Sequence, residues 1–174
     1  EGTVRSVSFL FGCDLTCDEQ TPCGVNEICH SLGRCEPQPP VGSCGQPIDA
    51  IIGLNATSTA GAEGALNYEQ GSCGGSSAHE RVFRYEERSQ NRTLCVRTTH
   101  GDPINTVAYV RKTDCFDPAQ EVGCNDDGLF VSNPLFSSLN LSTVVGETYY
   151  IFVDGYTLLD SGDVVLELVD GPCD

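Results

Sequence analysis

The stretch Gly146-Glu147-Thr148-Tyr149-Tyr150-Ile151-Phe152-Val153-Asp154-Gly155 decides the fold. Thr148 to Val153 are all β-branched or aromatic, the side chains that suit a pleated, packed surface. This is the most hydrophobic strand in the chain, which predicts a central position in a sheet. Val145-Gly146-Glu147 before it and Asp154-Gly155 at its end read as tight turns. Outward from it, further strand patterns recur at short intervals. Asp163–Val169 follows, and Ser138–Leu141 precedes it with alternating character. Upstream lie Thr106–Arg111, then Thr93–Thr98 after a Gln90-Asn91 turn, and Arg81–Tyr85, which alternates polar and apolar. Helical periodicity is absent apart from a short turn at Asp117-Pro118-Ala119-Gln120. The pattern predicts an all-β chain, an antiparallel β-sandwich.

Composition narrows the function classes. Lys+Arg total 9 against 25 for Asp+Glu, a net charge of -16. Phosphate backbones and anionic lipid both demand a basic surface, so nucleic acid and membrane docking are disfavoured. No apolar run reaches the length of a membrane span. The eleven cysteines include no C-x-x-C unit; the nearest pair, Cys13 and Cys17, is C-x3-C. Disulfides in an oxidising compartment fit this better than zinc, and a secreted location follows. Eleven is odd, so at least one cysteine is free, modified or bonded to another chain. Glu1 reads as a mature terminus after removal of a signal peptide.

Four zones divide the chain. Residues 1–12 form an apolar arm. Residues 13–35 hold Cys13, Cys17, Cys23, Cys29 and Cys35. With few apolar side chains, this zone takes its shape from disulfides, and its spacing resembles a truncated EGF-like or knottin-like module. Residues 36–43, EPQPPVGS, read as a stiff, extended linker. Residues 44–174 hold Cys44, Cys73, Cys95, Cys115, Cys124 and Cys173. Of their 15 pairings, the short loop Cys115–Cys124, the bracketing pair Cys44–Cys173 and the remaining Cys73–Cys95 are the expectation.

Thr106–Arg111, Asp114-Cys115, Glu121-Val122-Gly123-Cys124-Asn125-Asp126-Asp127, Gly146–Gly155 and Ser161–Leu168 together resemble the bacterial pre-peptidase C-terminal domain. The resemblance covers about residues 44–174 and is carried by the C-N-D-D and G-E-T-Y-Y-I-F-V-D-G stretches. It implies a jelly-roll-like sandwich with accessory folding, binding or matrix-attachment duties, and calcium in some relatives.

Catalytic chemistry needs a nucleophile, a base and an orienting group in contact. The histidines His30, His79 and His100 fall in no such pattern. Gly74-Gly75-Ser76-Ser77 is not a nucleophile elbow, and His79-Glu80 lacks the second histidine of a zincin. The expectation is a protein that is not an enzyme. Calcium is the candidate cofactor, on Asp114, Asp117, Asn125, Asp126 and Asp127, which one cysteine-bounded loop could converge. The alternative is an Asx turn at Asp126-Asp127-Gly128. Asp154 and Asp160 form a weaker second candidate. Asn55, Asn91 and Asn140 open N-x-[ST] sequons for glycosylation.

In the arm, Val7, Phe9 and Phe11 share one strand face, with Val4 nearby and Ser6 and Ser8 opposite. Such a strand either packs on its own domain or completes the sheet of a neighbouring copy. Head-to-tail donation propagates into filaments. Two functions follow: a self-assembling structural subunit whose partners are its own copies, or a monomeric extracellular module that binds a glycan, a protein or calcium.

Overall fold

The computed structural model describes residues 23–29, 34–60, 70–75, 78–102, 104–128 and 134–174, with only the backbone of His100 and Gly101. The arm residues Val4, Val7, Phe9 and Phe11, together with Cys13, Cys17 and His30, lie outside the described residues. The chain separates into two compact units, Glu1–Gln38 and Pro39–Asp174.

In the first unit, β1 (Glu27–Cys29) pairs antiparallel with β2 (Cys35–Pro37). A disulfide joins Cys23 to Cys35, and Cys29 is also disulfide-bonded. None of the described residues of this hairpin is buried, so the cross-links replace a core.

The second unit contains β3 (Ile48–Asp49), β4 (Gly53–Ser58), β5 (Arg81–Glu86), β6 (Arg92–Gly101), β7 (Thr106–Lys112), a 3-10 turn at Pro118–Gln120, β8 (Glu121–Asn125), β9 (Ser138–Thr143), β10 (Thr148–Gly155) and β11 (Asp163–Asp170). Two sheets result, in the orders β3-β5-β10-β7-β8 and β4-β11-β6-β9. The β3–β5 pair is parallel and the other pairs are antiparallel. The architecture is an antiparallel β-sandwich, as the strand spacing predicts. β10 is the middle strand of its sheet. Among the described residues, no helix is long and apolar enough to cross a membrane.

Side-chain alternation builds two apolar layers from one sheet. Facing the second sheet are Phe83 and Tyr85 of β5, Val110 of β7, and Tyr149, Ile151 and Val153 of β10. They meet Leu94 and Val96 of β6, Leu141 of β9, and Val164, Leu166 and Leu168 of β11. Each fully buried aliphatic side chain contributes about 1.5–3 kcal/mol through removal from water. The opposite face carries Val82, Val107, Tyr109 and Phe152, also fully buried, with Cys115 beside them. This is why β10 is apolar on both parities: its outer face is roofed by loops.

Two disulfides hold that roof, Cys44–Cys115 and Cys73–Cys124. A third, Cys95–Cys173, ties the C-terminal segment to β6. All three expected pairings of this unit are thereby replaced. Cys115 and Cys124 do not close a loop because the β7–β8 ladder sets Cys124 opposite Tyr109 in the middle of β7, whereas Cys115 lies beyond the end of β7. Cys95 cannot meet Cys73 because it points outward from the other sheet, between the inward Leu94 and Val96.

The expected linker also divides. Pro39 onward belongs to the second unit. Gly42 N–H donates to Gln46 O at 2.7 Å, and Gly42 O accepts from Val82 N–H at 2.8 Å. Residues 39–43 are part of the roof. Gly42 sits at φ 81°, and a Cβ there would run into the Arg81 side chain. The expected turn at Asp154-Gly155 lies instead one step later, since both residues finish β10.

Candidate functional site

The roofed face concentrates polar chemistry in an apolar setting. Tyr109 and Phe152 are cross-strand partners, and their rings stack at 4.4 Å with planes 10° apart. Arg111, 1% exposed, lays its guanidinium 4.9 Å from the Phe152 ring centre and donates to Cys115 O at 2.8 Å. Burial of a charge is tolerated here because a carbonyl and an aromatic face receive it.

Two carboxylates share this layer. Glu80 is 4% exposed and Asp154 1%. Val153 pairs with Arg81, so one further step along the ladder brings Glu80 beside Asp154. Glu80 Oε2 accepts from the Tyr109 hydroxyl at 2.9 Å. Neither Asp154 oxygen has a hydrogen-bond partner among the described residues. Burial first, and the charge of Glu80 second, push the Asp154 carboxyl up to about 9. Asp154 therefore keeps its proton at neutral pH. Burial, then the charges of Glu80 and Asp154, also push the Tyr109 hydroxyl upward, so it stays a donor.

Glu80 also lines a mostly apolar cleft of about 470 Å³, together with Pro39, Pro40, Ser43, Cys44, Gly45 and Phe116. Phe116 is 65% exposed on its rim. In two other depressions charged side chains already have partners within the protein. In one, Glu121 accepts from Ser72 N–H at 3.0 Å and from its hydroxyl at 2.5 Å. In the other, Arg84 pairs with Asp49 and Arg88 with Glu86, both at 2.6 Å, and Arg92 pairs with Glu87 at 2.9 Å.

Glu87 is a separate buried carboxylate, and a structural one. It accepts from Tyr85 OH at 2.9 Å, Ser89 N–H at 3.0 Å and Thr143 OH at 3.1 Å. Burial works to raise it, but the Ser89 amide, the Tyr85 and Ser89 hydroxyls and the Gln90 amide together win and hold it down at about 2. Burial and Glu87 push Tyr85 up to about 12.

Of the five candidate calcium ligands, Asp114, Asp117 and Asn125 accept backbone hydrogen bonds, whereas Asp126 Oδ1 is buried with no hydrogen-bond partner among the described residues. Asp114 Oδ1 accepts from Phe116 N–H and Asp117 Oδ1 from Ala119 N–H, both at 2.9 Å. Asn125 Oδ1 accepts from Ser138 N–H at 3.0 Å. Burial, then Asp127, raises Asp126. In the second candidate pair, Asp160 caps its own turn through Thr157 N–H at 2.8 Å. Among the described residues, no three His, Cys, Asp or Glu side chains are grouped to hold a metal ion.

The sequons differ in access. Asn55 is 9% exposed, and its Nδ2 donates to Ile51 O, Gly53 O and Leu166 O at 2.9, 3.1 and 3.3 Å. A glycan on that nitrogen is incompatible with the fold. Asn91 and Asn140 are exposed, with Oδ1 accepting from Val145 N–H and Cys173 N–H. His79 Nδ1 is buried without a hydrogen-bond partner among the described residues.

Sequence reasoning passed over Glu80. Its signal was its place one residue before an alternating strand, where burial of an acid depends on a roof that comes from distant loops.

No family model matches the chain. No curated protein matches it either. The crystal structure of the pre-peptidase C-terminal domain of collagenase from Bacillus anthracis is similar, at TM-score 0.47 and 13% identity, covering 71% of this chain and 94% of that one.

Proposed function

We propose that the chain is a non-catalytic extracellular module that binds a ligand at the roofed face of its five-stranded sheet. The observation that carries this reading is the pair of cross-links Cys44–Cys115 and Cys73–Cys124. The first fixes the loops around the Phe116 cleft before any ligand arrives, and the second ties another part of the roof to β8. A preformed, mostly apolar cleft with few polar groups is the usual form of a binding site, and rigidity lowers the ordering cost of binding. The disulfides themselves belong to an oxidising compartment.

The test is a binding screen of the full chain against immobilised polysaccharides and peptides, repeated with Phe116→Ala. Saturable binding, weakened by the variant and with the ligand recovered unchanged, is expected. Recovery of a cleaved ligand overturns the non-catalytic half. Full binding by the variant, or no binding at all, overturns the assignment to this cleft.

A second reading, the self-assembling subunit, is favoured by the alternation Val7, Phe9, Phe11 and the odd cysteine count. Light scattering on the chain with and without residues 1–11 tests it. Equal masses overturn strand donation, and a drop to monomer supports it.

A further inference from the structure

We propose that β4 is the docking edge for a second copy of this chain, the two β4 strands pairing antiparallel about a two-fold axis. The inference is independent of the ligand cleft. It gives a closed pair rather than the filament that arm donation would build.

Among the described residues, the two sheets end on β3, β8, β4 and β9. β3 is two residues long. β8 and β9 close on each other across the sandwich. Ser138 N–H donates to Asn125 Oδ1 at 3.0 Å, and a Cβ on Gly123 would lie 3.1 Å from Leu139 Cδ1. β4 has six residues and pairs on one side only, with β11. Thr59 N–H donates to Gly162 O at 2.8 Å, and this sets the phase of the ladder. Asn55 and Thr57 bond toward β11, while the N–H and C=O groups of Leu54, Ala56 and Ser58 point away from it. Such an edge is a template for another strand, and proteins blunt it with charge, proline or a bulge. The β4 strand has no charged residue and no proline, and its pairing with β11 runs without a register shift.

The occupant follows from charge. Residues 50–62 hold no charged side chain, in a chain of net charge -16. A cationic partner would be drawn to the acidic surface and not to this neutral strip. A copy of the chain is repelled wherever its acids face acids, so two copies meet with least repulsion strip to strip. Glu167, opposite Leu54 on β11, is already paired with Arg97 at 2.7 Å. The strip is also apolar at one end, where Ile51, Ile52 and Leu54 are 66%, 42% and 60% exposed. An axis through Ala56 sets Leu54 of one copy opposite Ser58 of the other, with small side chains at the centre where the backbones must approach.

The experiment is sedimentation equilibrium on the full chain from about 5 μM to about 1 mM, with amide exchange followed by NMR at both ends of the range. A short edge contact lies below the standard interface size, so a Kd of about 100 μM is expected, with the mass rising from one chain to two and stopping there. The amides of Leu54, Ala56 and Ser58 should exchange more slowly at the high concentration. Ala56→Glu places like charges opposite each other at the axis and should weaken the pair about fivefold or more. Leu54→Lys, a blocking charge on the same edge, should do the same and serves if Ala56→Glu fails to fold. A mass of one chain throughout, a mass beyond two, or undiminished pairing in a folded variant overturns the proposal. So does loss of the pair on removal of residues 1–11, which would assign it to the arm. Slow exchange of the three amides at the lowest concentration also overturns it, because the edge is then covered from within the chain.

Discussion

The Tyr109 hydroxyl donates to Glu80 Oε2 across 2.9 Å, joining the middle of β7 to the residue that leads into β5. The bond is buried at both ends. Tyr109→Phe keeps the stack on Phe152 and removes only the donor. Burial of a carboxylate that has lost a hydrogen bond costs about 1–3 kcal/mol. Urea unfolding should show a loss of that size with an unchanged slope. An unchanged midpoint would show that the Glu80 carboxylate draws its stabilisation from elsewhere.

Two of the three buried acids of this unit, Asp154 and Glu87, respond to pH with opposite signs. Asp154 is raised to about 9, so the folded state binds a proton that the unfolded state has released above about pH 4. Stability from this group falls as pH rises from about 4 to about 9. Asp154→Asn removes that loss. It should stabilise by on the order of 1–3 kcal/mol at pH 8 and have little effect at pH 4. A stability difference that does not widen with pH would mean that Asp154 is ionised in the fold.

Glu87 behaves conversely. Its carboxyl is held at about 2, so its contribution is complete above the unfolded value of about 4.3 and disappears as pH falls toward 2. Glu87→Gln removes one of the two charge partners of Arg92, a side chain only 12% exposed, and leaves it Asp170 alone. The expected loss at pH 7 is about 3 kcal/mol, shrinking toward zero near pH 2. Thermal melts across pH 2–8 measure both variants together.

Much of this architecture is legible in the chain. Thr148–Val153 announces its central place because residues of both parities are apolar, and Arg81–Tyr85 announces one buried face because they alternate. β3 and β4 escape notice because they are short or carry mixed small and polar residues, and Asn55 looks like a surface sequon while it hydrogen-bonds Leu166 O. Disulfide pairing escapes for a different reason. Cysteine spacing reports loop length, but pairing is set by which sheet face each cysteine occupies and which distant loop crosses it. The Glu80–Asp154 pair is invisible for the same cause: its neighbours are 74 positions apart by number and meet only through strand register.

The cross-link Cys44–Cys115 spans 71 residues. Constraint of the unfolded chain by a loop of that length is worth up to about 4 kcal/mol. Cys44→Ala with Cys115→Ala should lower stability by about 2–4 kcal/mol and loosen the Phe116 rim while the inter-sheet core persists. Hydrogen exchange locates the effect. Faster exchange confined to residues 39–46 and 113–118 is expected, whereas uniform acceleration through β6 and β11 would show that the roof and the core unfold as one.

Gly75 sits at φ 87°, and a Cβ there would collide with the Asp154 carboxylate. Two separate costs are built into this contact. One is the left-handed backbone, which strains any residue with a Cβ. The other is the close approach to Asp154, which depends on the size of that side chain. A double-mutant cycle separates them. Gly75→Ala alone should destabilise by about 2 kcal/mol or more, the sum of backbone strain and overpacking. In an Asp154→Ala background only the backbone part remains, about 1 kcal/mol. The coupling between the two positions measured by chemical denaturation should therefore be about 1 kcal/mol or larger. Additive effects would place the Gly75 backbone away from Asp154 and remove the glycine turn from the floor beneath Glu80.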